Sequence, residues 1–417
     1  MRPPARTAAR LLSGAGLAAA LLLPGAAPVQ AATFSGVPTA DGKKGRELPG
    51  MASTLGQNGG KTACTSASHE HAEKPDWSRE RLDLDRLHGY STGAGVTVAL
   101  IGTGVASDAT GLTSRVTARG DAGDDCVGYG TFLAGLIAGT GGDTPGLAGV
   151  APGAKILALR GTDKYGVADA RLVADALREA TEARAGVIAI AVALPSRDAK
   201  LTRAVADARA GGAVVIAAAA PDPVRTTTGE VPPRTYWPAG EPGVLSVADM
   251  LPSGERPDGS LPTDGIDLVA PGTGVVSIGP RGNGHYLGSG AAVATAYAAG
   301  AAAAVRSAHP DDSAAGVVRS LTATAYPASI PQLDPYAAVT TVLGEAGRRT
   351  DPDHGSTAVK LRDTSAADHA ADRATLFVLL GSAGLLTVLW GVFVLPRARA
   401  RRWRPAGPGT LGGAEQE

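Results

Sequence analysis

Few residues in this 417-residue chain are of the kinds that make or break bonds, and their spacing narrows the chemistry further. There are two cysteines, Cys64 and Cys126, and seven histidines: His69, His71, His88, His285, His309, His354 and His369. No His or Cys cluster has the spacing of a metal site, so neither a metal nor another cofactor is expected. In an exported protein the two cysteines are more often a disulfide than two free thiols. Such a bridge would close a loop of roughly 60 residues and contribute about 4 kcal/mol in the chain-entropy model. Two independent thiols are the alternative. A serine does chemistry only beside a base, itself oriented by a third group. The elements that would assemble such a trio must therefore be found first.

The ends of the chain address it to a membrane. Arg2, Arg6 and Arg10, the apolar run Leu11 to Leu23, and Val29-Gln30-Ala31 read as a signal peptide over residues 1–31. Leu376 to Leu395 is 20 residues without a charge, about 30 Å as a helix and long enough to cross a bilayer core. Arg397, Arg399, Arg401, Arg402 and Arg404 follow. They would keep the tail, 396–417, in the cytoplasm and the body outside. The whole chain is neutral, but the part between signal and tail holds 31 basic and 37 acidic residues, net −6. With aromatics at 4%, the chain lacks the basic, ring-studded surface of a nucleic-acid reader.

Between the ends, residues 32–90 form an N-terminal extension with little apolar periodicity before Trp77, an arm expected to lie on the main domain. Apolar strands then alternate with helices over residues 91–343. Val96 to Ile101, Ile156 to Leu159, Val187 to Ala193, Ala213 to Ala219, Val244 to Ala248 and Ile266 to Val269 are the strands. Val167 to Ala183 and Leu201 to Arg209 are helices, and Ala291 to Ala308 is a helix apolar on all sides, hence central. Strands alternating with helices imply parallel strands and right-handed crossovers. Residues 344–375 are a polar linker.

In this order the segments resemble the subtilisin-like serine proteases, and among them the mycosins, the membrane-anchored proteases of type VII secretion systems. The resemblance rests on Gly93-Ala94-Gly95-Val96-Thr97-Val98-Ala99-Leu100-Ile101, Gly149-Val150-Ala151-Pro152-Gly153-Ala154 and Val269-Ala270-Pro271-Gly272. Tyr297-Ala298-Ala299-Gly300, Val305-Arg306 and His309-Pro310 complete it. Signal peptide, Cys64, the Asp125-Cys126 pair, spacer and single span match the mycosin layout. The resemblance implies a subtilisin-like three-layer α/β fold with a mostly parallel central sheet, plus one C-terminal transmembrane helix.

It also implies a triad that this chain does not spell. The family's Asp opens a D-T-G pattern that here reads Gly102-Thr103-Gly104. Its His opens H-G-T-x-V-A-G, here Tyr129-Gly130-Thr131-Phe132-Leu133-Ala134-Gly135. Its Ser lies in G-T-S-x-A, here Gly290-Ala291-Ala292-Val293-Ala294. The oxyanion Asn follows a run matching Val214 to Ala220, so Pro221 stands in its place. A three-residue slip would make Ser289 the nucleophile, but it would misplace Tyr297, Gly300, Val305 and Arg306 together. The histidines, all outside these motifs, read as surface or loop residues. In subtilisin, losing the triad costs about 10⁶ in kcat, and losing the oxyanion Asn about 10²–10³.

The expectation is therefore a pseudoprotease with no catalytic residues, held outside the cytoplasm by a single span. It would have protein partners in a type VII-like secretion complex, with room for a peptide in a vestigial cleft. Two other readings stand beside it: an active serine endopeptidase with an unrecognised catalytic set, and an ectodomain that binds peptide or cell-wall material outside any secretion system.

Overall fold

Glycine-bounded aliphatic runs become strands, and alanine-rich stretches become the helices between them. In this computed structural model the described residues are 47–56, 63–142, 144–222, 232–343 and a few helical positions between 382 and 396. Helices α1 (Trp77–Arg81) and α2 (Leu84–His88) precede strands β1 (Thr97–Gly102) and β2 (Val116–Ala118). Then come α3 (Tyr129–Ala138), β3 (Lys155–Arg160), α4 (Ala170–Glu182), β4 (Val187–Ile190), α5 (Ala199–Ala210) and β5 (Val214–Ala218). Strands β6 (Leu245–Met250), β7 (Leu268–Pro271), β8 (Val275–Ile278) and β9 (His285–Gly288) lead to α6 (Ala291–Ala308), α7 (Ala314–Ala323) and α8 (Pro335–Thr340).

Seven strands form one sheet in the order β2-β3-β1-β4-β5-β6-β7, every neighbouring pair parallel. Successive side chains on a strand point to opposite faces, and both faces are buried here. Val98 and Leu100 of β1 join one core, while Ala99 and Ile101 join the other. Residues of β4 and β5 divide in the same way. Helices α3 and α6 cover the first face, and α4 and α5 the second. The expected three-layer α/β fold with a parallel sheet is present. In α6, every residue from Ala291 to Val305 is buried.

The N-terminal extension is more deeply built in than an arm on the surface. Leu82, Leu84 and Leu87 belong to the main core, so α1 and α2 are part of the domain. Asp76, the α1 cap, also pairs with buried Arg79 at 2.8 Å. Ser78 Oγ lies 2.5 Å from Tyr297 Oη of α6. Further upstream, Cys64 and Cys126 form a disulfide with Cα atoms 4.6 Å apart.

His285 departs from the surface-or-loop expectation. It sits in β9, paired antiparallel with β8, and is 5% exposed. Residues from the extension cover it: the Ala72 amide donates to Nδ1 at 3.0 Å, and the His71 ring meets it edge-on. A loop assignment missed it because the covering segment lies more than 200 residues away in sequence.

The expected signal peptide (1–31), the whole linker (344–375) and nearly all of the tail (396–417) fall outside the described residues. The same holds for most of the apolar run 376–395; its described positions, among them Leu385, Leu386, Val388, Trp390 and Val392, are helical and exposed. Among the described residues no helix is long and apolar enough to cross a membrane.

Candidate active site

The order of the strands makes a crevice. From β1 the chain moves to β3 on one side and later to β4 on the other. Crossovers of one hand then lie on opposite faces, and the carboxyl ends of the strands at that divide are left uncovered. Gly102 ends β1, Ala191 follows β4, and Pro221 and Asp222 follow β5. Together with Tyr129 they line a groove of about 290 Å³.

Tyr129 opens α3, whose start is pressed against the loop after β1. A Cβ on Gly130 would come within 1.9 Å of the Gly104 carbonyl oxygen, so only glycine fits. The N-cap, Gly128, has no side chain with which to cap the helix, and Asp125 serves instead. Its Oδ1 accepts from the Gly128 amide at 2.8 Å, and its Oδ2 from the Thr131 amide at 2.8 Å and hydroxyl at 2.7 Å. Thr103 Oγ1 donates to Asp125 at 2.9 Å and accepts from the Gly130 amide at 2.8 Å. Burial pushes the Asp125 carboxyl up, and these bonds oppose it.

Helix α6 repeats the device. Its N-cap is Gly290, with φ +127° and no side-chain cap. Asp222 reaches in from the end of β5, and its Oδ1 accepts from the Ala292 amide at 3.1 Å. A Cβ on Gly290 would lie 2.0 Å from that oxygen. The helix begins at Ala291, so Ala292 is in the first turn and Ser289 lies before the cap. Ser289 Oγ accepts from the Gly274 amide at 3.1 Å.

Tyr129 ties the two helix starts together. Its hydroxyl donates to the Ser289 carbonyl oxygen at 3.2 Å and lies beside the Asp222 carboxyl. The ring is 3% exposed. Burial first, then the charges of Asp222 and Asp249, hold the phenol well above its ordinary value of 10. At neutral pH it is a hydrogen-bond donor, not a base. Asp222 is half-buried, and burial raises its carboxyl to about 7. The bonds from Tyr129 and the Ala292 and Ala291 amides pull it down, while Asp249 pushes it up. Asp249 is itself raised by burial, against the attraction of Arg256. Beyond Asp222 a second pocket, of about 110 Å³, is lined by Asp249, Arg256, Asp258, Ser289 and Gly290.

The structure thus brings together all four positions singled out in the sequence. Gly102, Tyr129 and Pro221 line the groove, and Ala292 meets it through its amide. The sequence reading passed over Asp222, which sits at the centre. A usable signal was present: an acidic residue immediately beyond a buried strand, where α/β folds place their ligands.

Residues 93–372 match the subtilase family, Peptidase S8. Mycosin-3 of Mycobacterium tuberculosis is 28% identical over 401 residues, which cover 79% of this chain and 85% of that protein. Subtilisin E of Bacillus subtilis is 30% identical over 266 residues, covering 62% and 68%. Among solved structures, the MycP3 protease from the type VII (ESX-3) secretion system superposes with a TM-score of 0.58. It is 29% identical, and the match covers 73% of this chain and 99% of that one. A match spanning most of the chain, in the order its motifs were read, places this protein in the subtilase family, on the mycosin branch.

Proposed function

We propose that this protein is a membrane-anchored, extracytoplasmic pseudoprotease that serves as a structural or binding component of a type VII-like secretion system. One observation carries the reading: Gly102, Tyr129 and Ala292 converge on one crevice and offer no nucleophile–base pair. A hydrogen replaces the orienting carboxylate, a phenol held in its neutral form replaces the base, and a methyl group replaces the nucleophile. Pro221 brings neither a side-chain amide nor a backbone N–H. The role in secretion is carried over from relatives, since one similar structure, 27% identical, is that of MycP1, described as an essential component of the type VII (ESX-1) secretion system. Retained export and anchoring signals agree with a task that depends on location. A single span forms no channel, so it serves as an anchor or as a contact to other spans.

The test has two arms. The full-length protein, purified in detergent, is treated with a fluorophosphonate and incubated with casein; no heat-sensitive serine labelling and no cleavage are expected. In cells, deleting the gene should impair secretion by an associated type VII system, and a version lacking Leu376 to Leu395 should not restore it. Labelling of a serine overturns the pseudoprotease reading, and full rescue by the soluble version overturns the anchored one.

A further inference from the structure

Asp222 is not accounted for by the loss of catalysis. A protein that merely drops a nucleophile and a base leaves the amide beside the nucleophile position free to bind a carbonyl oxygen. Acyl-transfer sites aim such donors at the oxygen of the scissile group. In this chain the corresponding amide, that of Ala292, already has an acceptor in Asp222 Oδ1 at 3.1 Å.

We propose that Asp222 is this chain's own substitute for a substrate oxygen, and that with Tyr129 it forms a bar closing the crevice to a peptide running through it. The inference rests on the site assignment made under the proposed function and adds how that site is kept shut. The first-turn amides of a helix have no partner within the helix. Gly290 supplies no cap, so without Asp222 the Ala292 amide would face the groove unpaired. The Asp222 oxygen, set 3.1 Å from that amide by the end of β5, fills the place of the missing cap. A peptide carbonyl would have to displace an acceptor that the chain already holds in place.

The second half of the bar is the Tyr129 hydroxyl. It runs from the start of α3 to the Ser289 carbonyl, just before α6. Tyr129 lines the larger groove and Ser289 the smaller pocket, while Asp222 lines both. The Tyr129–Ser289 and Ala292–Asp222 bonds therefore lie between the two compartments. A bound peptide would have to break them to occupy both at once.

The test is binding of a substrate-like protein inhibitor of serine proteases, whose loop lies along a subtilase cleft through main-chain contacts. Full-length protein in detergent is compared with Tyr129→Gly/Asp222→Gly, which removes both members of the bar. The wild type should bind at least about tenfold more weakly than the double variant. Equal binding by both overturns the proposal. Should the variant not fold, hydrogen exchange in the wild type decides. The Ala291 and Ala292 amides should be protected although they lie in a first turn with a glycine cap, and rapid exchange at Ala292 overturns the proposal. Fluorophosphonate labelling of the same samples is a separate readout. Labelled wild type refutes the pseudoprotease reading, whereas unlabelled wild type that binds the inhibitor as tightly as the double variant refutes only the bar.

Discussion

Asp222→Asn should make the protein more stable, and by an amount that depends on pH. Folding moves the Asp222 carboxyl from an ordinary 3.8 to about 7. Between those values the native state holds a proton that the unfolded chain has released, so stability falls as pH rises through that window. Below 3.8 nothing is lost, and above 7 the full cost applies. It amounts to about 2 kcal/mol at pH 5 and about 4 kcal/mol at pH 8. Asparagine has the shape of the protonated acid and never ionises. Its oxygen can accept from the Ala292 amide while its amide group faces the Tyr129 hydroxyl. The variant should therefore match the wild type near pH 3.5 and exceed it by up to about 4 kcal/mol at pH 8. Urea unfolding of the full-length protein in detergent at three pH values measures this. A variant less stable than the wild type at pH 8, or a difference that does not change with pH, would refute the burial argument.

Other perturbations follow from the same contacts. Reducing the Cys64–Cys126 bridge, which spans 62 residues, should lower stability by about 4 kcal/mol, seen as a lower urea midpoint in reductant. His285 is held below its ordinary 6.5 by burial first, then by His71 and Arg79. The unfolded chain thus binds the extra proton, and stability should decline as pH drops below 6.5. Limited proteolysis within residues 63–76 should be faster at pH 5 than at pH 7.5, with the contrast diminished in His285→Asn. Gly290→Ala, which sets a methyl group against Asp222 at a φ of +127°, should lower the melting temperature by more than Tyr129→Phe, which forfeits about 1 kcal/mol of hydrogen bonding.

The sequence by itself determined the layers and the main helix. Strands β1 and β3 to β5 lie where aliphatic runs were bounded by glycine, and α6 spans Ala291–Ala308 as read. These are local signals, because burial on both faces of a parallel sheet demands continuous apolar runs. The substitutions at Gly102, Tyr129, Ala292 and Pro221 were legible for the same reason, each lying within a short motif. Strand β7 lies two residues beyond its expected place, ending at Pro271, which an edge strand tolerates. Tertiary structure alone decided what fills the crevice. Asp222 and Ala292 are 70 residues apart, and an acid after a proline reads as an ordinary loop residue until the end of β5 is set beside the start of α6. His285 follows the same rule, its partner Ala72 lying 213 residues away. A carboxylate that caps a distant helix, or an imidazole covered by a remote segment, leaves no periodicity in the chain, since its partners are chosen by the fold and not by spacing.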